Sequence, residues 1–350
     1  MALGDSLWEY AKRELTASMQ QEAENNDRLR PQENTIFFFG TKNGGKTTVI
    51  NQFLDRDEPP RPTAALNYTF ARKTRGQVKD IAHVWELGGG TLFSSLLKIP
   101  ITTNTIRRLT LVLVLDLSAP ENFCQNVLDL LMLARASVQA AMAELVKVDH
   151  NIHNQMKNKM LKKVGSDHVD INKLDLFPVP LLILGTKYDL FQMLDSDKQK
   201  LICKTLRFVS HIHGGTLLFT SNTKDSMMAR TRNVINHLVF SSPLGKSILA
   251  RYKDDLYIAV GSDSLQQIGS LPVPGMSYEP TLAHWMKSFK VIFPQEVNGK
   301  KEKDWSWPKQ GVPFAEPAVD MARAQKDQEL EEKRKNSGKL WREMSLDGKL

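Results

Sequence analysis

The sequence predicts an α/β fold built on a mostly parallel sheet. Apolar segments of strand length recur at 35–39, 80–87, 109–117, 180–184 and 216–220. Stretches with helical spacing of apolar residues separate several of them, as at 122–148 and 201–211. Strands that alternate with helices favour a parallel sheet that is covered by helices on both faces.

Composition indicates a globular chain and excludes several classes. Of the 350 residues, 41% are hydrophobic and 25% are charged, which argues against wholesale disorder and collagen-like structure. The two cysteines, Cys124 and Cys203, are too few for a disulfide scaffold or a cysteine-based zinc site, and they favour a reducing compartment. The longest apolar stretches, 109–117 and 179–185, have about half the length of a membrane span. We therefore expect no membrane segment.

The net charge of +8 alone does not distinguish among nucleic acid, acidic lipid and acidic protein as partners. A nucleic-acid role is disfavoured because the sequence has no basic stripe interleaved with aromatic residues. The histidines at 83, 211 and 213 lack zinc-ligand spacing, so they are expected on the surface or hydrogen-bonded in the core. Trp305 and Trp307 are interpreted as partner contacts.

Three regions are predicted along the chain. Residues 1–29 comprise an amphipathic helix and a linker, residues 30–240 form the α/β core, and residues 241–350 form a C-terminal extension. The helix, at 5–24, carries an apolar stripe made of Leu7, Trp8, Ala11, Leu15 and Met19. The extension combines an edge strand at 256–260, a proline-rich stretch and a charged helix at 315–341.

A phosphate-binding motif follows the first predicted strand. Residues 40–47 match G-x-x-x-x-G-K-[ST] and are followed by a predicted helix, which is the order that the motif requires. In such a loop the backbone amides and the helix N-terminus bind phosphate, the lysine contacts the outer phosphates, and the hydroxyl residue binds Mg²⁺. The predicted cofactor-binding residues here are Gly40, Thr41, Lys42, Asn43, Gly44, Gly45, Lys46, Thr47 and Thr48. The alternative is a glycine-rich strand-to-helix turn.

A Mg²⁺ site also needs a carboxylate at the end of a neighbouring strand. Two residues qualify: Glu86, in a segment E-L-G-G that resembles the D-x-x-G motif, and Asp116, which could instead serve a turn. Thr63, after three prolines, is a candidate switch threonine or an ordinary turn residue. The predicted metal ligands are Thr47, Thr63 and Glu86, with Asp116 as the alternative carboxylate.

Base recognition is predicted at residues 186–189, T-K-Y-D, which resemble the guanine-reading N-K-x-D motif. Asp189 would accept hydrogen bonds from guanine, and the Lys187 stem would pack over the ring. Thr186 replaces the usual asparagine, so we expect a looser connection between this loop and the phosphate loop. Ser221 and Asn222 are a weak match to the final element of such sites, and an ordinary polar loop is the alternative.

Hydrolysis needs a side chain that orients the attacking water, usually a glutamine directly after the D-x-x-G glycine. Gly90 occupies that position. We therefore expect a nucleotide that is held as a structural cofactor and turned over slowly or not at all.

Five segments together resemble the dynein light intermediate chain family, in particular the chains of cytoplasmic dynein-2: 40–48, 54–60, 80–90, 178–189 and 203–209. The resemblance extends from about residue 5 to the C-terminus, including 261–274. It implies a Ras-like domain that binds guanine nucleotide (GDP or GTP) with Mg²⁺ but lacks clear enzymatic output.

The resemblance further implies a subunit of the motor that drives retrograde intraflagellar transport. The implied partners are the dynein-2 heavy chain, other dynein-2 subunits and the intraflagellar transport machinery, in the cytoplasm, the cytoskeleton and the cilium. The N-terminal helix and the segments after the core are the expected docking elements. A slow signalling GTPase remains the alternative function.

Overall fold

The computed structural model describes residue 14 and residues 31–244, 256–269, 282–294 and 317–347. The predicted N-terminal helix lies outside the described residues apart from residue 14, as do Trp305 and Trp307. The chain divides into two compact units, Met1–Glu296 and Val297–Leu350.

Seven strands and nine helices are described, with short 3₁₀ segments between some of them. The strands are β1 (Glu33–Gly40), β2 (Leu66–Arg75), β3 (Val78–Leu87), β4 (Leu109–Asp116), β5 (Leu181–Thr186), β6 (Thr216–Phe219) and β7 (Tyr257–Ile258). The helices are α1 (Lys46–Phe53), α2 (Phe123–Val146), α3 (Ile152–Val164), α4 (Tyr188–Phe191), α5 (Ser196–Ile212), α6 (Asp225–Phe240), α7 (Leu265–Ile268), α8 (Leu282–Ile292) and α9 (Pro317–Asp347).

All seven strands form one sheet in the order β2-β3-β1-β4-β5-β6-β7. The five strands from β3 to β6 in this order run parallel, and the two edge strands, β2 and β7, pair antiparallel. The predicted α/β fold with a mostly parallel sheet is therefore confirmed. Parallel strands place their carboxyl ends at one edge, so the loops after β1, β3, β4 and β5 meet there.

The sheet is buried on both faces because alternate residues of each central strand point into different cores. Phe37 and Phe39 of β1 belong to a core that includes residues of α2 and α5. Ile36 and Phe38 belong to the opposite core, with residues of α1 and α6. The side chains of these four residues, 36–39, are inaccessible to solvent.

The edge strand β2 was not among the predicted strands. Leu66, Tyr68 and Phe70 follow the two-residue period of a half-exposed strand, so the signal was present in the sequence. Charged residues in the second half of β2 weaken the hydrophobic pattern. The turn to β3 contains Gly76 in the left-handed conformation that tight hairpin turns require.

The segment after residue 240 contributes to the first compact unit. The predicted edge strand is present as β7, which pairs with β6. Trp285 of α8 is buried and stacks on Phe208 of α5, with ring centroids 4.3 Å apart. The predicted boundary at residue 240 remains a prediction, but packed structure continues beyond it to residue 293.

The second compact unit is described only as α9, which corresponds to the predicted charged helix. Its side chains between residues 317 and 336 are exposed, apart from the half-buried Glu329. None of the described helices is both long enough and apolar enough to cross a bilayer.

Candidate functional site

The phosphate loop lies between β1 and α1, as the motif predicts. Gly40 is pressed against β4, so that a Cβ atom there would lie 1.9 Å from the carbonyl oxygen of Val114. Gly45, the residue before α1, has a left-handed backbone with φ +82°. The two glycines are therefore required by close approach and by backbone conformation, respectively. The loop leads into the N-terminal turn of α1 at the edge of the sheet where the carboxyl ends of the parallel strands lie.

Lys46 is held across the loop by one hydrogen bond. Its Nζ donates to the carbonyl oxygen of Thr41 at 2.7 Å, and the side chain is buried. Burial lowers the pKa of Lys46, whereas the nearby Glu86 carboxylate acts in the opposite direction. A buried ammonium group at the mouth of this loop is suited to bind an anion.

Glu86, at the end of β3, lies directly opposite the hydroxyl residue of the loop. Thr47 Oγ1 donates to Glu86 Oε1 at 2.7 Å. Glu86 Oε2 is buried and has no hydrogen-bond partner among the described residues. An unpaired buried carboxylate oxygen is costly unless a cation or donor approaches it. The pair of oxygens from Thr47 and Glu86 therefore fits the ligand preference of Mg²⁺.

The alternative carboxylate, Asp116, is already engaged. Its Oδ1 accepts hydrogen bonds from the backbone nitrogen and hydroxyl of Ser118, at 3.0 and 2.6 Å. Its Oδ2 forms an ion pair with Lys187. Asp116 thus serves the turn after β4 and the neighbouring loop, which leaves Glu86 as the better fit to a cation.

A cleft of about 470 Å³ joins the phosphate loop to Glu86 and to the Pro60–Thr63 segment. Thr63 lines this cleft, and its carbonyl oxygen lies against Gly88, where an added Cβ would approach it to 2.3 Å. Gly90 occupies the position where a water-orienting side chain is usual. It has a left-handed backbone and begins the 3₁₀ segment Gly90–Lys98. The cleft is also lined by Leu92 and Phe93, which are apolar.

The loop after β5 is tied to the phosphate loop, contrary to the expected loosening. Thr186 Oγ1 donates to the carbonyl oxygen of Gly44 at 2.6 Å and lies 3.1 Å from that of Leu115. Thr186 is buried. The shorter threonine therefore maintains the connection between the two loops that asparagine usually provides.

Asp189 is oriented by the loop after β6. Its Oδ1 accepts a hydrogen bond from Ser221 Oγ at 2.6 Å. Ser221 had been only a weak sequence match, and the structure now gives it a defined role in holding this carboxylate. A neighbouring cavity of about 110 Å³ is lined by Thr186, Lys187, Ser221 and Asn222, together with residues of α1.

Lys187 adopts a left-handed backbone conformation, with φ 58°, and its ammonium group is paired with Asp116. This pair was not predicted, because the sequence separation of 71 residues gives no local signal. Residues 42–48, Thr63 and Glu86 line the larger cleft, and Lys187 lines the smaller cavity, which shares Gly45 and Thr48 with it. Of the predicted residues, Gly40, Thr41 and Asp189 line neither cavity.

Comparison with known proteins places the chain in a family. A model described as "Dynein light intermediate chain (DLIC)" matches residues 10–179. The chain is 43% identical over 352 aligned residues to "Cytoplasmic dynein 2 light intermediate chain 1" of Bos taurus, covering 98% of this chain and 99% of the relative. The chain belongs to the dynein light intermediate chain family.

The corresponding chain of Homo sapiens is also 43% identical, with the same coverage. A solved structure titled "Crystal Structure of the Dynein Light Intermediate Chain's Conserved Domain" matches with a TM-score of 0.52 and 17% identity, over 82% of this chain and 95% of that chain. At that identity the likeness supports the fold alone. The family model ends before the predicted base loop at 186–189.

A second buried polar cluster lies away from the cleft and was not predicted. His168, Asp170 and His211 offer metal-ligand atoms within 4.8 Å of one another. However, His168 Nδ1 lies 3.1 Å from the backbone nitrogen of Asp170, and Asp170 Oδ2 accepts from the backbone nitrogen of Leu265. His211 Nε2 lies 3.1 Å from the same carboxylate oxygen. These bonds join α5 to the segment that contains α7, so the cluster is structural in character.

Proposed function

We propose that this chain is a non-catalytic light intermediate chain subunit of the cytoplasmic dynein-2 motor. The observation that carries the proposal is the 43% identity to dynein-2 light intermediate chains along nearly the whole of both chains. The subunit would bind the dynein-2 heavy chain, stabilise it and support retrograde intraflagellar transport with the other dynein-2 subunits and the transport machinery. It would act in the cytoplasm, on the microtubule cytoskeleton and in the cilium, including its axoneme and base, without binding nucleic acid or membrane.

The Ras-like core would hold a guanine nucleotide, GDP or GTP, as a structural cofactor. The loop at 40–48 would bind the phosphates, with Lys46 as the principal cation. Asp189, oriented by Ser221, would accept hydrogen bonds from the base, and the Lys187 stem would pack over it. A bound Mg²⁺, held by Thr47, Glu86 and Thr63, would neutralise phosphate charge.

Slow or absent turnover is supported by the geometry around Gly90. Gly90 stands where a water-orienting side chain is usual, and it has no side chain. Its neighbours in the cleft, Leu92 and Phe93, cannot act as a general base. A slow signalling GTPase is the second candidate, favoured by the contact of Thr63 with Gly88 across the cleft. Steady release of phosphate from GTP at more than about 10⁻³ per second would favour that candidate and contradict the non-catalytic proposal.

The first prediction tests the structural role of the nucleotide through Lys46→Ala. We expect the purified variant to contain less than about a tenth of the wild-type bound nucleotide and to unfold at a lower temperature, because a ligand that binds only the folded state stabilises it. Bound nucleotide would be measured by chromatography after acid extraction, and unfolding by calorimetry.

The matched control is Lys79→Ala, which removes an exposed lysine of β3 that does not line the cleft. Co-purification with the dynein-2 heavy-chain tail should survive in Lys79→Ala and weaken in Lys46→Ala as the core loses stability. Failure of the wild-type chain to bind the heavy-chain tail would contradict the subunit proposal itself. Full heavy-chain binding by a nucleotide-free Lys46→Ala protein would show that the nucleotide is dispensable.

The role of the N-terminal segment is tested separately by deleting residues 1–24. We propose that its apolar stripe contributes to heavy-chain docking, so the deletion should weaken co-purification without changing nucleotide content. Undiminished heavy-chain binding would count against that use of the stripe.

A further inference from the structure

The outward face of α2 carries very little charge. Among its exposed residues are Met132, which is 68% accessible, Leu133, which is 41% accessible, and the alanines at 136, 140 and 143. No ionisable residue occurs between Arg135 and Glu144. A helix at a protein surface normally presents a polar face to water. Helix α2 thus presents apolar surface on its outer side as well as to the core.

This face continues into a groove of about 570 Å³ between α2, α3 and the segment before β5. We call it the α2–α3 groove. Its lining includes the apolar side chains of Met142, Val146, Met160, Leu161 and Phe177. Ala143 is exposed and lines the groove, so it joins the groove to the apolar face of the helix.

The α3 side of the groove carries basic residues and no acidic one. Lys157 and His153 of α3 line the groove, whereas the lysines at 159, 162 and 163 do not. Within the described part of the chain, none of these four lysines forms an ion pair. Lys157 therefore presents a positive charge to the groove without an ion-pair partner among the described residues.

We propose that the α2–α3 groove binds an acidic amphipathic helix of a second protein chain. A channel bordered by two helices suits a third helix, whose apolar residues would fill the floor while its carboxylates face Lys157. Pairing of two copies through this groove would place α3 lysines opposite one another and is disfavoured. The inference rests on the proposed function, because the dynein-2 heavy chain supplies the second chain.

The test is binding of full-length variants to the dynein-2 heavy-chain tail. Ala143→Trp fills the groove from an exposed position, so the fold is preserved, and we expect binding to weaken at least about tenfold. Lys157→Glu reverses one charge at the rim and should weaken binding about three- to tenfold, with a reduced dependence on salt. The controls are Asn158→Trp on the exposed part of α3 and Lys198→Glu on α5, neither of which lines the groove.

A photo-crosslinking amino acid at position 143 then identifies the occupant. In the assembled complex we expect crosslinks to an acidic helical segment of the heavy chain. Crosslinks to residues 5–24 of the same chain, or to a second copy, would overturn the proposal. If the wild-type chain binds the heavy-chain tail but Ala143→Trp binds equally well, the groove proposal fails while the proposed function stands. If the wild-type chain does not bind, both fail.

Discussion

One hydroxyl group, that of Thr186, joins the phosphate loop to the loop after β5. It bridges residues 142 positions apart in the sequence by donating to the carbonyl oxygen of Gly44. Because Thr186 is buried, water cannot readily replace this bond. The departure from asparagine thus preserves the contact while shortening the side chain.

The second prediction follows from this bond. Thr186→Val keeps the shape of the side chain but removes the donor, so we expect the free energy of unfolding to fall by about 1–2 kcal/mol. Thr186→Ser, which keeps the hydroxyl, should retain the nucleotide affinity that the valine variant loses. Urea unfolding and titration with a fluorescent guanine nucleotide would measure both. Equal nucleotide affinity of the two variants would argue against a role for the hydroxyl.

The third prediction concerns His213, which is buried in the core. Burial lowers its pKa, the carbonyl of Asp175 acts in the opposite direction, and Arg135 lowers it further. In the unfolded chain the histidine has its ordinary pKa near 6.5. As the pH falls, the unfolded chain therefore binds a proton at this histidine before the folded protein does. Its contribution to stability is therefore complete above about pH 6.5 and decreases below it, by at most about 1.4 kcal/mol per pH unit.

The slope is measured by urea unfolding between pH 7.5 and 5.5. His213→Gln should flatten the decrease in unfolding free energy, whereas His153→Gln, at an exposed position, should leave it unchanged. If both variants retain the wild-type slope, titration of His213 does not contribute to acid sensitivity.

At the level of secondary-structure elements, the segment 256–269 is fastened to α5 by an ion pair. Both guanidinium contacts of Arg207 reach Asp263, at 2.7 and 2.8 Å, and Asp263 is buried. The carbonyl oxygen of Asp263 also lies 2.8 Å from His168 Nε2. This attachment explains why the short strand β7 holds its place at the edge of the sheet.

The fourth prediction removes that attachment. Arg207→Ala leaves the buried Asp263 carboxylate unpaired, which should lower the free energy of unfolding by about 3 kcal/mol. Lys198→Ala, which breaks an exposed pair with Asp195, should change it by less than about 0.5 kcal/mol. Denaturant unfolding of the two variants gives the comparison, and similar values would contradict the assignment of Arg207 as a fastening residue.

Prediction of the elements succeeded where burial is complete. Strands β1, β4 and β5 are buried throughout or nearly so, and their continuous apolar runs were recognisable. Strand β2 is half-exposed and contains basic residues, so its apolar pattern is weaker, and it was not predicted from the sequence. Helix α8 was not predicted either, and its buried Trp285 lies in the region beyond residue 240 that was predicted from the sequence to be a C-terminal extension.

At the scale of the whole molecule, the fifth prediction compares two truncations. A chain ending at Glu296 retains β7, α7 and α8, and it should unfold within a few degrees of the full chain because the described side chains of α9 up to residue 336 are mostly exposed. A chain ending at residue 240 exposes Phe208 and loses its partner Trp285. We expect it to aggregate or to unfold well below the full chain. Calorimetry would measure the unfolding temperature of each truncated chain. Equal unfolding temperatures for the two would place the end of the α/β core at residue 240.

The sequence by itself determined the sheet class and the order of strand, phosphate-binding motif and helix, because these depend on local patterns of hydrophobic periodicity and glycine spacing. Only the tertiary structure paired Thr47 with Glu86 and Lys187 with Asp116, and connected Thr186 to Gly44 and Ser221 to Asp189. These contacts join residues far apart in the chain. Their geometry depends on which strand ends the sheet brings together, and no local pattern encodes that.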